Sequence, residues 1–357
     1  MLVRKIEEFL YKILTETLLS LYNLAVGVLT GQFGSTAVTP RVLAGCRPNG
    51  GTRLGDSWFI SRFCFPRRIL LYLCHQLSPV LEREPKRTNA IPVHTQVLST
   101  LGFLATGTFQ REIADRSGIS QPTMSRILPA VLHGIISLTP QYIQFLYTAV
   151  PQARVKRDFH TIAGFPNVIG AIDCTHIAVK APSLNKFNFA NRKGFHSVNV
   201  QVICDSHLAL LNVVAKWPGG THDSFIVQNT VEDGWLIGNR GYPLKTWLMT
   251  PLTNPSNQQE ARYNQAHACT RTTVERTIGL MKGCWLCLSG TGGTLQYQPS
   301  KVCYIVKACS VLHNTAIKNG IPLHDLPRPG EPMPDRECFP PPIALALRTR
   351  VNIIQRF

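Results

Sequence analysis

Residues Asn167 to His176 read NVIGAIDCTH. Val168, Ile169, Ala171 and Ile172 make a short apolar run, the pattern of a fully buried strand. Asp173 ends the run. A carboxylate there has left the apolar core and reached the rim of a sheet, where α/β proteins keep their chemistry. An isolated aspartate at such a place most often just caps a turn. The downstream sequence decides between the two readings.

Beyond Asp173, Ser197 to Cys204 (SVNVQVIC) alternates Val198, Val200 and Val202 with polar neighbours. Asp205-Ser206 turns the chain, and Leu208 to Trp217 returns. With the Asp173 strand and its short continuation Ile177 to Val179, this predicts a three-strand antiparallel meander. Pro218-Gly219-Gly220 breaks it, Ser224 to Thr230 reads as a short helix, and Trp235 to Ile237 is a fourth apolar run ending at Gly238-Asn239. The 17 residues between Trp217 and Trp235 suffice for a helical return to a parallel strand. Glu260 to Met281 reads as a helix with Val274, Ile278 and Met281 on one side. On it, Glu275 comes four residues after Arg271, the spacing of a same-face ion pair. Val302 to Ala316 is a last helix.

Upstream the periodicity is helical. Ile69, Leu70, Leu73, Cys74 and Leu77 recur at three-and-four spacing up to Ser78-Pro79, and Val93, Val97, Leu101 and Leu104 continue the stripe. Phe109 to Ile136 predicts a helix from Gln110 to Arg116, a turn at Ser117-Gly118, and a second helix opening near Ser120 with Pro122 in its first turn. Ile113 and Ala114 would pack on Ile119, Met124 and Ile127. This is a helix-turn-helix outline, with Gln121, Thr123, Ser125 and Arg126 placed to meet bases or phosphates. An ordinary αα-corner has the same outline.

The chain thus divides into an N-terminal extension (1–55), a helical segment (56–150), an α/β domain (159–319) and a tail (320–357). Eight prolines from Pro322 to Pro342 predict that the tail is extended. At 357 residues the chain exceeds one core of ordinary size. Its 37 Lys and Arg against 20 Asp and Glu give a net charge of +17, which attracts polyanions, nucleic acid first. The 11 scattered cysteines argue for reduced thiols in an intracellular setting and against a disulfide framework. The lone pair Cys284 and Cys287 is expected to pack in the core. Leu18 to Thr30 is apolar but falls short of the ~20 residues that span a bilayer, so no membrane partner is expected.

Three strands, a helical crossover, a fourth strand and then a helix is the order of ribonuclease H-like nucleases. Carboxylates come from the first strand, the end of the fourth and the later helix. Here those positions are Asp173, Asn239 and Glu275. Phosphodiester cleavage by two divalent metals needs hard oxygen ligands from such distant places.

The stretches VIGAIDCTHIAVKAP (Val168 to Pro182), NRKGFHSVNVQVICD (Asn191 to Asp205), WPGGTHDS (Trp217 to Ser224), GNRGYPLKTWLMTPL (Gly238 to Leu252), RYNQAH (Arg262 to His267) and TVERTIGLMKG (Thr273 to Gly283) resemble the PIF/Harbinger transposases and their domesticated, transposase-derived nuclease branch in vertebrates. The resemblance implies a DDE nuclease domain of RNase H-like fold that cleaves DNA with Mg²⁺ or Mn²⁺. It also implies a nuclear location, extending to the cytoplasm, and a Myb-like partner protein that supplies DNA binding or import. Self-association into a homo-oligomer is a further expectation.

One departure matters. The family carries Asp in GDxGYP where this chain has Asn239. An amide offers one neutral oxygen and removes a charge, at a cost of several kcal/mol in metal affinity, since an ion pair near 4 Å is worth about 4 kcal/mol at an effective dielectric of 20. Asp223, in GGTHD, is the nearest substitute and a candidate ligand in its own right. Asp173, Glu275 and Asp223 are therefore the candidate catalytic residues, and with Asn239 the candidate metal ligands. Lys180, Arg192, Lys193 and Arg276 are candidates to hold phosphate, against the alternative of a solvated basic face. A catalytically impaired, DNA-binding or scaffold remnant is the competing function, and position 239 separates the two.

Overall fold

The computed structural model describes residues 55–82, 90–145, 149–219, 234–290, 293–323 and 341–357. Strand β1 (Val168–Ala178) is one unbroken strand, where the sequence suggests a strand with a separate continuation. Its first six residues are buried, so both faces are covered, which is why the run is apolar without alternation. It forms antiparallel pairs with β2 (Ser197–Cys204), which pairs in turn with β3 (Leu210–Pro218). On its other side β1 runs parallel to β4 (Trp235–Ile237), and β4 runs parallel to β5 (Leu248–Met249). The order across the sheet is β3-β2-β1-β4-β5. Gly170 sits where the β1–β4 register shifts, and a Cβ there would lie 2.8 Å from Ile203 and 2.9 Å from Leu236. The Ser224 to Thr230 helix expected in the β3–β4 connection lies outside the described residues.

Seven helices precede β1 among the described residues: α1 (Asp56–Phe63), α2 (Arg67–Leu81), α3 (Val93–Thr106), α4 (Gln110–Ser117), α5 (Gln121–Ser137), α6 (Thr139–Tyr142) and α7 (Ala149–Ala163). The sequence places the end of α2 at Ser78-Pro79, but the helix runs on to Leu81. Pro79 falls in the last turn, where it has no N–H to give the His75 carbonyl, and the helix ends two residues later. Helix α4 ends at Gly118, whose φ of 67° is left-handed, the usual conformation of a glycine after a helix. Helix α5 opens on Ser120, whose hydroxyl accepts from the Thr123 N–H at 3.4 Å, with Pro122 in the first turn. Ile113, Ala114, Met124 and Ile127 are buried between the two helices and their neighbours.

Short α8 (Lys186–Phe189) lies between β1 and β2. The long α9 (Gln258–Cys284) starts at Asn257, whose side chain accepts from the Glu260 N–H at 2.8 Å. Tyr263, His267, Thr270, Val274, Thr277 and Met281 form its buried stripe. A 3-10 turn (Leu286–Leu288) and α10 (Pro299–Lys318) come next.

One buried cluster runs from Phe59, Leu73 and Leu128 through Val168, Val200 and Ile278 to Val306, and a smaller one gathers Ile169, Ile172, Ile203 and Leu236. Helix α10 is the seam. Asn314 on it donates to the Tyr142 carbonyl at 2.8 Å and to the Leu210 carbonyl at 2.7 Å, and accepts from the Leu210 N–H at 2.8 Å. Beside it, His313 Nε2 bonds the Leu208 carbonyl at 2.8 Å, at a residue held at a φ of 69°. Cys287 is buried 4.0 Å from the Cys309 sulfur. The tail also departs from expectation. Its residues Ala344–Ile354 form α11, with Ala346, Ile353 and Ile354 buried, and the Phe357 ring packs on Phe165 and Tyr263. Proline content predicts extension only where the prolines are, and none lies beyond Pro342.

Candidate active site

Parallel pairing builds the site. Ala171 and Ile237 form the last pair of β1 and β4. Two residues beyond each come Asp173 and Asn239, so the two side chains emerge together where β4 has ended and β1 continues. The Asn239 amide donates to Asp173 Oδ1 at 2.9 Å. Arg271, from α9, donates to Asp173 Oδ2 at 3.2 Å, and the same guanidinium pairs with Glu275 one turn along. Asp173, Asn239 and Glu275, distant in sequence, therefore meet around one arginine. Asp223 lies outside the described residues.

The orientation of Asn239 is dictated by chemistry. The Gly241 N–H, which can only donate, points at Asn239 Oδ1 from 2.7 Å. The amide oxygen is thus committed to its own turn and the NH₂ faces the carboxylate. The turn is tied down from below. The Tyr242 hydroxyl lies 3.2 Å from Cys174 Sγ and accepts from Gln201 Nε2 at 3.1 Å. Cys174 and Gln201 face each other across β1 and β2, so the turn holding Asn239 is latched to the strand holding Asp173.

Electrostatics under the site are set by burial first. The Cys204 thiol is pushed up to about 12 mainly by burial, with the charges of Asp205 and Asp173 adding to it and a Thr277 hydrogen bond opposing. His267, one turn before Arg271, is pushed down to about 4 mainly by burial; its bond to the Met249 carbonyl opposes this, and the Arg271 charge adds to it. Since a carbonyl only accepts, Nε2 carries the proton and the ring is neutral.

Asp173 and Glu275 point hard oxygen donors at a common place, as Mg²⁺ or Mn²⁺ requires. Arg271 now neutralises that place, leaving these three side chains with one net negative charge. This donor set fits one divalent cation taken in exchange for the guanidinium. It does not fit two, because the third position presents an N–H donor rather than an acid. Among the described residues no three His, Cys, Asp or Glu already stand in a metal-holding group.

The other candidates lie mostly on the surface. Lys180, Arg192, Lys193 and Arg276 are exposed. On α5, Gln121, Ser125 and Arg126 are exposed and Thr123 half-buried, with Arg126 bonded to Thr123 Oγ1 at 3.3 Å on its own helix. Sequence spacing reveals the Arg271–Glu275 pair but not that Arg271 also holds Asp173. That contact depends on where α9 crosses the sheet.

The DDE superfamily endonuclease family matches residues 172–314, which span the three converging side chains. The chain is 38% identical over 285 residues to the rat (Rattus norvegicus) protein named "Putative nuclease HARBI1", covering 77% of this chain and 82% of that protein. The human (Homo sapiens) protein of the same name is 37% identical over 294 residues, 79% of this chain and 84% of that one. An Arabidopsis thaliana "Protein ALP1-like" is 25% identical over 293 residues, 72% of this chain and 70% of that protein. No solved structure matches the chain. The class is that of the DDE superfamily endonucleases. Within it, the chain belongs to the Harbinger transposase-derived nuclease family. No described helix is long and apolar enough to cross a membrane.

Proposed function

We propose that this protein is a DNA-directed nuclease of reduced power, binding nucleic acid by charge and hydrolysing phosphodiester bonds slowly at Asp173 and Glu275. The observation that carries it is the convergence of these two acids on Arg271 beside the end of β4. The RNase H-like reading draws support from the order β3-β2-β1-β4-β5, antiparallel on one side of β1 and parallel on the other. In this reading Asp173 and Glu275 hold the cation, and Arg271, displaced from them, is free to meet the phosphate. Bound Mg²⁺ or Mn²⁺ supplies Lewis-acid polarisation of the phosphate and an activated water. Asp223 is the candidate to supply the missing charge, and Asn239 positions Asp173. Helices α4 and α5 are a helix-turn-helix that offers Gln121, Thr123, Ser125 and Arg126 to DNA, while Lys180, Arg192, Lys193 and Arg276 take phosphates. A Myb-like protein partner, self-association and a nuclear site of action, extending to the cytoplasm, belong to the same reading.

A second reading, a DNA-binding remnant without cleavage, is favoured by the Asn239–Asp173 hydrogen bond, which occupies an acid that a metal would need. Plasmid nicking with Mg²⁺ or Mn²⁺ separates the two. Slow nicking by the wild type, raised by Asn239→Asp and abolished by Asp173→Ala, supports the first. If Asn239→Asp changes nothing and Asp223→Ala destroys activity, Asp223 is the third ligand. Inactivity of every variant leaves the remnant. Duplex binding should fall with salt at a log–log slope of about −0.9 per phosphate contacted.

A further inference from the structure

The fold leaves an unusual surface on the β1–β2 connection. Leu184 and Phe187 are each 80% exposed and Phe195 is 38% exposed, on a hairpin that also shows Lys186, Arg192 and Lys193 to solvent. No acidic residue occurs between Asp173 and Asp205.

The hairpin is held in shape. Asn191 Oδ1 accepts from the N–H groups of Lys193 at 2.9 Å and Phe195 at 3.3 Å, and Asn191 Nδ2 donates to Ser197 Oγ at 3.0 Å. Gly194 takes the left-handed φ of 81° that closes the turn. At the base, the Val179 N–H donates to the His196 carbonyl at 2.9 Å and the Lys180 N–H to the Leu295 carbonyl at 2.9 Å. Rings mounted on such a frame give up little freedom when they meet a ligand. Lys186 Nζ already lies 5.3 Å from the centre of the Phe187 ring.

We propose that this hairpin is a platform for unpaired nucleobases: Phe187 and Phe195 stack on bases while Lys186, Arg192 and Lys193 take the phosphates between them. Interleaved rings and cations are the means by which proteins hold single strands without reading sequence. A paired duplex hides its base faces and offers the rings nothing. The inference rests on the DNA-directed reading above and adds which strand state is held, and where. Six steps along the chain lead from Asp173 to Val179, a span of about 20 Å. At about 3.4 Å per nucleotide along one strand that is on the order of six nucleotides. The platform therefore holds the strand that flanks the acids rather than the bond they face.

The test uses the full chain and fluorescence anisotropy on four probes: a paired DNA duplex, the same duplex with a six-nucleotide gap, a single-stranded RNA of the gap sequence, and phosphatidylserine vesicles. The gapped DNA should bind about 10-fold more tightly than the duplex. Phe187→Ala should erase most of that ratio and Phe187→Trp should keep it; at 80% exposure neither change threatens folding. A 2-aminopurine placed in the gap should be quenched by the wild type and not by Phe187→Ala. Equal binding of gapped and paired DNA overturns the platform while leaving the nuclease reading intact, and absence of any DNA binding removes both. Preference for the RNA reassigns the platform to unpaired RNA, and vesicle binding without a preference for the gap reassigns it to an anionic membrane surface. Either result overturns the proposal.

Discussion

Asn314 and Asn239 each use both ends of their amides, and they do so to opposite effect. Asn314, on the seam, gives its NH₂ to two carbonyls and its oxygen to an N–H, joining α10 to Leu210 and Tyr142. Each partner there demands an amide. Asn239, at the acid site, gives its oxygen to the Gly241 N–H and its NH₂ to the Asp173 carboxylate. Its second partner is an anion, which a cation could serve as well. An amide satisfies the folded chain at both places, but of the two only the one at position 239 sits against a carboxylate.

Acid should have the largest effect, because each region carries a buried histidine: His313 in the seam and His267 one turn before Arg271. Burial pushes His313 and His267 each down to about 4 in the folded chain, against about 6.5 when unfolded. Above pH 6.5 both states are neutral and neither ring affects stability. As pH falls from 6.5 towards 4, the unfolded chain takes up the protons first, so stability is lost across that window. The ceiling is about 3 kcal/mol per histidine. Chemical denaturation at pH 7 and pH 5 measures it, and equal stability at the two values would break the picture of neutral buried rings.

Asn314→Asp comes next. It sets a buried carboxylate against two carbonyls and should cost about 4 kcal/mol, or roughly 10 °C in melting temperature. A loss under about 1 kcal/mol would place the strength of the seam elsewhere. Asn239→Asp should have the smallest effect and a conditional one. Without metal it sets two carboxylates side by side and should cost about 2 kcal/mol. With Mn²⁺ present the loss should shrink or reverse, because a cation now finds its third acid. Thermal melts with chelator and with Mn²⁺ read the difference directly. The same shift in both conditions would mean that position 239 does not face the metal.

Much of this is legible in the sequence, for identifiable reasons. The apolar run at Val168, the alternation of Ser197 to Cys204 and the stripe on α9 are local signals with a definite period. From them comes the succession of strands and helices, and from its likeness to the ribonuclease H-like order the expectation that Asp173, Asn239 and Glu275 meet. The shared core is not legible, because period and composition say which face of a helix is buried but not against what. Arg271 reads as half of a helical ion pair, and only the crossing of α9 over β1 gives it Asp173. Helix α11 is obscured by the prolines before it. The hairpin is half visible: Lys180, Arg192 and Lys193 are plain as charges, but that Phe187 stands in solvent is a fact about packing.

The large buried cluster running from Phe59 to Val306 bears on what such a fold can shed once its ancestor stops moving through genomes. Helices α3 and α5 give their apolar faces to the rest of the fold, and the seam fastens α10 to the sheet. None of them can be shed without exposing core surface, whatever becomes of DNA reading or cleavage. The pair α4 and α5, which buries Ile113, Ala114, Met124 and Ile127, cannot be removed without opening that core, so its presence is no testimony to DNA recognition.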